Sequence, residues 1–527
     1  MSSDISSSGA GGEGGVGATG AGAEGGVGAT GAAAQLSDPG AARNTLLQLC
    51  AQVISLACTA GLTLYLVRAL GARGYGVYAL ATSISGLLLY PAYLGLPLAI
   101  GRFLADHLGD LQQLRSILRL GLRLQVSVAA LVGLALFAAA GLVAHLYGAR
   151  HLAWPLRWAA VALTGQAVFA LLSSAGTSLR RVSVTLFMTI AESITETGCG
   201  VLLVVLGAGA AGAMLGKAAG YAAACVIGTY LAFRLLGRSR AGSREPPRQL
   251  ALGRLTRYAG VMFLVEVSWS AITQIDVILI GLLLSTVAVG SFGAVMRIIT
   301  ILGYLGTAMA AGVAPRLSLA AGSPDVAAFE RGLRYLIIVQ AAAIAPLVVW
   351  ATPIVGLLLG PHYPKADQIM RLLAPYALLS GPAALVTLGI SYLGEARRRV
   401  PVMLSTLALG VVSTYVLLKA IGLLGAALAD DVVELAYVLA NLWLFVGMVH
   451  MPVGRLGLCM LRSLLGAGAM AGVLYLFGTG HLAIWQWVGG AIAALLAYLS
   501  VLLLSREVKP AELRMAWGGI RGRLLPG

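Results

Sequence analysis

The chain has 527 residues, of which 59% are hydrophobic and 11% charged, and it carries a formal net charge of +16. Its mean hydropathy is +0.90. A water-soluble protein of this length needs a much larger charged surface, so soluble enzymes and soluble nucleic-acid binders are excluded at once.

In chain order, residues 1–42 differ from the rest. The phrase EGGVGATGA occurs at Glu13–Ala21 and again at Glu24–Ala32. Such a segment has few large apolar side chains with which to offset its ordering entropy, and it reads as a disordered Gly/Ala-rich cytoplasmic tail. It lacks a basic stretch followed by an apolar one, so it does not read as a secretory signal, and the first span is expected to direct insertion. From Asn44 to Leu504 apolar runs of roughly 20 residues recur, each long enough to cross ~30 Å of hydrocarbon as a helix. Fourteen spans are predicted, at 44–67, 77–100, 122–146, 156–176, 182–206, 212–235, 258–284, 287–313, 334–359, 369–393, 400–420, 424–449, 460–478 and 482–504. The expected fold is an all-α polytopic membrane protein. Its high Gly and Ala content suits helices packed through small residues.

Basic residues set the expected orientation. With the N-terminus inside, 27 of the 36 lysines and arginines fall on inner segments and 8 on outer ones, leaving Arg297 within a span. That asymmetry predicts both termini in the cytoplasm and a location in the cytoplasmic membrane. It also makes the net charge a collar facing anionic lipid rather than a nucleic-acid surface, since no basic segment carries interleaved aromatics.

The chain resembles itself. At an offset of 214, Gly76 falls on Gly290, Tyr78 on Phe292, Tyr90 on Tyr304 and Arg102 on Arg316; at 213, GAMLGKAAGY from Gly212 falls on GAALADDVVE from Gly425. Six spans separate each pair, so the halves share one topology and are related by an axis along the membrane normal. The predicted organisation is an N-lobe at 43–236 with six spans, a basic cytoplasmic linker at 237–257, and a C-lobe at 258–450 with six more. Two further spans lie at 451–505, and a basic cytoplasmic tail follows at 506–527. A substrate site is expected between the repeats near the midplane.

VRALGARGYGVYALATSISGLLLYPAYLGLPLAIGRFLAD, QIDVILIGLLLSTVAVGSFGAVMRI, GPHYPKADQIMRLLAPYALL and KAIGLLGAALAD occur in this order between residues 67 and 430. Together they resemble landmarks of the polysaccharide flippases in the multidrug/oligosaccharidyl-lipid/polysaccharide (MOP) exporter superfamily, relatives of the MATE exporters. The resemblance runs from about Arg43 to Met451. It implies a transporter, not an enzyme, that flips undecaprenyl-diphosphate-linked oligosaccharide to the outer leaflet by alternating access. Polysaccharide polymerase or chain-length proteins are the partners it suggests. A MATE-type cation-coupled exporter and a peptidoglycan-precursor flippase are the alternatives; arginines lying only near the ends of the first-lobe spans count against the latter.

Motifs of other chemistries fail on context. GAGAAG at Gly207–Gly212 matches GxGxxG but joins two spans instead of a strand and a helix. Gly216-Lys217 lacks the remaining P-loop residues, so no nucleotide is expected and transport must draw on a gradient, on substrate supply or on a partner. Cys50, Cys58, Cys199, Cys225 and Cys459 have no CxxC spacing and read as free apolar thiols, with no metal expected.

Charged groups inside spans are costly, about 2.5–3.5 kcal/mol each on insertion scales, and therefore informative. In span 5, Thr185, Thr189, Glu192 and Glu196 fall on one helical stripe. In span 7, Glu266, Ser270, Thr273, Gln274 and Asp276 fill one broad arc. These polar faces are candidates for the cavity. Asp276 and Arg297 lie at matching depths in neighbouring spans, which predicts an ion pair between them, either a structural clamp or one that releases Arg297 to a substrate diphosphate. Glu192, Glu196, Glu266 and Asp276 are candidates for coupling to H⁺ or Na⁺, with Glu266 favoured. Lys217 and Asp430 occupy equivalent positions in the two lobes and are candidate gate residues, read either as a pair or as independent groups. Arg102 and Arg316 are positive-inside anchors and candidates for headgroup capture.

Overall fold

The computed structural model describes residues 39–107, 111–179, 181–237, 252–317, 325–393, 395, 398–449, 451–480 and 482–508. The predicted tail at 1–38, most of the linker and the end of the basic C-terminal tail lie outside the described residues. Among those described, sixteen α-helices account for nearly everything: α1 Pro39–Tyr93, α2 Leu96–Asp106, α3 Leu111–Leu146, α4 Ala153–Ser178, α5 Val182–Val205, α6 Gly209–Gly237, α7 Leu252–Leu283, α8 Thr286–Val313, α9 Val326–Val349, α10 Ala351–Leu358, α11 Ala366–Leu372, α12 Ala374–Tyr392, α13 Arg399–Ile421, α14 Leu423–Met448, α15 Val453–Phe477 and α16 Ile484–Leu504.

The path crosses the membrane fourteen times, although only eleven of the described helices are long and apolar enough by length and composition alone. The difference has three causes. The 55-residue α1 is two spans joined at Gly71, whose φ of 62° and ψ of 177° lie outside helical space and suit a residue without Cβ. Helix α14 carries Asp430, Asp431 and Glu434, and of α7 only Ser270–Leu283 falls in a continuously described stretch of side chains.

Three predicted spans are broken rather than straight. Leu94 and Gly95 both have positive φ, so the second span passes from α1 to α2, with Pro97 in the first turn of α2. The ninth and tenth divide at Trp350 and Leu373, with Pro353 and Pro375 just beyond each break. Proline lacks the N–H a continuing helix needs but fits a first turn. The third helix starts at Leu111 rather than 122, because hydropathy marks where hydrocarbon begins and not where the helix does.

Helices α3–α6 pack around the two arms of α1, forming the N-lobe, and α7–α9 with α12–α14 form the C-lobe. Helix α15 leans on α9, and α16 on α15. Three contacts hold this last pair to the C-lobe at three depths. Trp350 Nε1 donates to Gly478 O at 3.1 Å, Tyr498 Oη donates to Ile338 O at 2.7 Å, and Glu507 accepts from Arg334 at 2.9 Å and Arg462 at 2.8 Å.

The apolar core shows how the lobes meet. At the end the charge count assigns to the outside, one cluster runs through both lobes, from Leu66, Tyr75 and Leu80 to Val289, Phe292 and Ile369. At the other end there are two separate clusters. One gathers Ile100, Leu118 and Leu171 in the N-lobe; the other gathers Phe329, Leu336 and Phe445 in the C-lobe. Among the described residues, the apolar core shared by the two lobes therefore lies at the end the charge count assigns to the outside, while toward the other end α2 still touches α7.

Candidate functional site

The outer joint is built on the internal repeat. Gly76 and Gly290, equivalent positions in the two halves, face each other where α1 crosses α8. A Cβ on Gly76 would sit 1.7 Å from Thr286 O, and one on Gly290 would sit 1.9 Å from Ala72 O. Any side chain there would push the two backbones apart. Two cross-lobe contacts reinforce the joint. Tyr363 Oη donates to Val67 O at 2.5 Å, and Arg68 donates to the carbonyls of Leu357 and Leu358 at the end of α10.

Arg297 lies seven residues past Gly290 on α8, about 10 Å below this joint at 1.5 Å per residue. It is exposed, and its guanidinium stands beside the Tyr75 hydroxyl with Tyr78 and Tyr304 close by. No carboxylate of the described residues comes within 4 Å of it. The expected Asp276–Arg297 ion pair does not form. Helix α8 turns Arg297 toward α1 while α7 turns Asp276 into the C-lobe. There Asp276 Oδ1 accepts from Thr414 Oγ1 at 2.7 Å, and its carboxyl faces that of Asp430. Asp430 is 7% exposed, and its Oδ2 has no donor. Both acids line a crevice between α7, α13 and α14 with Ile272, Thr406 and Gly410.

The N-lobe handles its acids differently. The α5 stripe is shared among neighbouring helices: Thr185 donates to Ser173 O on α4 at 3.4 Å, Ser193 donates to Glu192 at 3.1 Å while its hydroxyl lies 2.8 Å from that of Ser55 on α1, and Lys217 on α6 pairs with Glu196 at 3.5 Å. The Lys217 ammonium also lies 5.7 Å from the Tyr221 ring centre. Thr189 is half-buried on the same stripe. Lys217 and Asp430 thus do not meet as a gate pair in this structure, because each is drawn to a partner within its own lobe.

On α7, Thr273 is exposed and bonds back to Ser270 O at 3.0 Å, while Ser270 crosses to Gly86 O on α1 at 3.0 Å and closes one side of the cleft. Arg102 is exposed on α2. The side chains of Glu266 and Arg316 lie outside the described residues. Sequence reasoning passed over a second polar track on α14, where Glu434, Tyr437 and Asn441 follow Asp430. The signal was available, since these four repeat the i, i+4, i+7, i+11 spacing of span 5.

Comparison with known proteins agrees with this architecture. Residues 41–320 match the model of a family described as polysaccharide biosynthesis protein. A probable low-salt glycan biosynthesis flippase, Agl15 of Haloferax volcanii, is 22% identical over 459 residues, covering 85% of this chain and 92% of that protein. Among solved structures, the lipid II flippase MurJ in an inward closed conformation superposes with a TM-score of 0.69 at 13% identity, covering 88% of this chain and 99% of that one. An inward-facing MATE multidrug transporter of the MOP superfamily gives 0.57 at 15% identity, covering 74% and 96%. These likenesses establish the fold as that of the MOP superfamily.

Proposed function

The chain belongs to the polysaccharide biosynthesis protein family, and on that premise we propose that it flips undecaprenyl-diphosphate-linked oligosaccharide from the cytoplasmic to the outer leaflet by alternating access. The observation that carries this reading is Arg297, an exposed cation at the apex of the cleft with no described carboxylate against it. A guanidinium binds phosphate oxygens through two parallel hydrogen bonds, and a cleft walled by apolar helices strengthens that attraction over its value in water. The lipid tail stays in the bilayer while the lobes rock about the joint at Gly76 and Gly290. The described acids with known partners sit inside the lobes, which favours an anionic headgroup over the organic cations of a drug exporter. In this reading both termini are cytoplasmic, and polymerase or chain-length proteins act on the product at the outer face.

Coupling to H⁺ or Na⁺ is assigned to the Asp276/Asp430 crevice. Two carboxyls in contact cannot both stay ionised without a proton or cation between them. The small crevice, with the Thr406 and Thr414 hydroxyls at hand, suits one small exchangeable ion.

The test uses full-length protein in liposomes with a fluorescent undecaprenyl-diphosphate-linked sugar as probe. A charge-assisted hydrogen bond is worth about 1.5–3 kcal/mol, so Arg297→Gln should slow flipping roughly 10- to 100-fold, with Arg297→Lys between it and the parent. Ethidium export without lipid flipping would overturn the proposal in favour of a drug exporter.

A further inference from the structure

Substrate binding makes no use of the α14 track. Asp430, Glu434, Tyr437 and Asn441 lie within about 60° of one another and span about 16 Å of helix. Asp430 and Tyr437 are each 7% exposed and Asn441 is fully buried, while Glu434 is half-buried. At the far end stands Arg399, the first residue of α13, 9% exposed. It donates to Tyr437 Oη at 3.0 Å and to Ser391 Oγ at 3.2 Å. The track therefore runs from the acid pair to the end of the C-lobe that the charge count assigns to the cytoplasm.

Three atoms along it have no protein partner: Asp430 Oδ2, Asn441 Oδ1 and Arg399 Nε. Buried polar atoms of this kind are ordinarily satisfied by water. One turn separates Asp430 from Glu434, and another separates Glu434 from Tyr437, so single waters can bridge the gaps. Four polar side chains in an apolar helix are expensive, and packing alone does not call for them.

The titratable and hydroxyl groups around the track come from the helices packed against α14. Helix α7 brings Asp276, α13 brings Thr406, Thr414 and Arg399, and α12 brings Tyr376, whose ring lies in the field of Glu434, Asp430 and Asp276. Asp431, on α14 itself, accepts from the Tyr376 backbone N–H at 2.9 Å. On α11, Asp367 and Arg371 hold each other at 3.5 Å, and Arg297 on α8 stands with Tyr75. Arg399 is thus the cation placed on the track among the described residues.

We propose that α14 is a proton path: protons pass between the Asp276/Asp430 pair and the cytoplasmic end of α13, with Glu434 as relay and Tyr437 and Arg399 as its gate. In one direction, a proton leaves the carboxyl pair, is accepted by the Glu434 carboxylate and is released to water beside Arg399; the reverse loads the pair. A tyrosine hydroxyl can pass a proton on by accepting one and giving up another, while the fixed guanidinium repels Na⁺ and K⁺. This rests on the coupling site proposed above and selects the proton as its ion.

The experiment applies a pH jump to full-length protein in liposomes carrying a lumenal pH dye, with the carboxyl infrared band of the protein followed in parallel. Glu434→Gln should slow proton delivery to the Asp276/Asp430 pair at least tenfold. Glu434→Asp should recover most of the rate, and Glu395→Gln, at an exposed pair with Arg398, should match the parent. Unchanged delivery in Glu434→Gln, or a sodium-dependent band at constant pH, would overturn the path. Flipping of the fluorescent lipid-linked sugar is measured in the same vesicles. A parent that conducts through Glu434 but moves no lipid would sink the flippase reading and leave the path standing.

Discussion

The two lobes share a fold and solve one electrostatic problem in opposite ways. At the 214-residue offset, Leu62 of the N-lobe corresponds to Asp276 and Glu196 to Gly410; at 213, Lys217 corresponds to Asp430. In the N-lobe two acids on α5, Glu192 and Glu196, lie together and Lys217 pairs with Glu196 at 3.5 Å, while Leu62 is buried. In the C-lobe the acid has moved to α7, a glycine leaves space, and a second carboxyl stands where the ammonium would be. The N-lobe holds a tethered cation that cannot leave, whereas the C-lobe keeps a place for one that can. A built-in ion pair makes a rigid lobe, and an exchangeable one makes a lobe whose charge state changes during a transport cycle.

The largest effect should come from imposing the N-lobe solution on the C-lobe. Asp430→Lys places an ammonium beside Asp276 and should suppress gradient-driven flipping on the order of 100-fold, a loss of about 2.7 kcal/mol, while the protein still folds. Full transport by this variant in the liposome assay would refute the contrast between the lobes.

Breaking the N-lobe pair should instead cost stability. Lys217→Met leaves Glu196 without its base, and removing one partner of a buried pair costs about 3 kcal/mol. Thermal unfolding in detergent should show the loss, and Lys217→Met with Glu196→Gln should recover most of it. If the single variant unfolds with the parent, the pair is not what stiffens this lobe.

The smallest effect concerns the latch between α16 and the C-lobe. Burial works against ionisation of Glu507, but hydrogen bonds from Arg462, Cys459 and Arg334 outweigh it and hold the carboxyl below its ordinary value of 4.5. A depressed carboxyl contributes stability above its unfolded pKa and loses it as pH falls through the folded one. The latch should therefore be complete at neutral pH and weaken only below the ordinary carboxylate range. Glu507→Gln should cost about 1 kcal/mol at pH 7, with the difference from the parent shrinking as the pH drops. A difference that grows on acidification would show that Glu507 is not held as an anion.

Much of this was legible in the sequence because hydrocarbon thickness imposes a length on every span and water asymmetry imposes a charge bias on every connection. Gly76 and Gly290 were visible as a repeated pair before their contact was known. The polar spacing of α14 was equally visible, but Asp430 reads in the sequence as the counterpart of Lys217 in the other lobe.

By itself the sequence determined the fourteen crossings and the duplicated lobes, since hydrocarbon thickness and the rise per residue fix the length of every span. Only the tertiary structure decided which way each group faces. The azimuth of a helix is set by all its neighbours together. It turned Arg297 toward Tyr75, Asp276 toward Asp430 and Lys217 toward Glu196, and it brought the equivalent glycines together to join the lobes at one end.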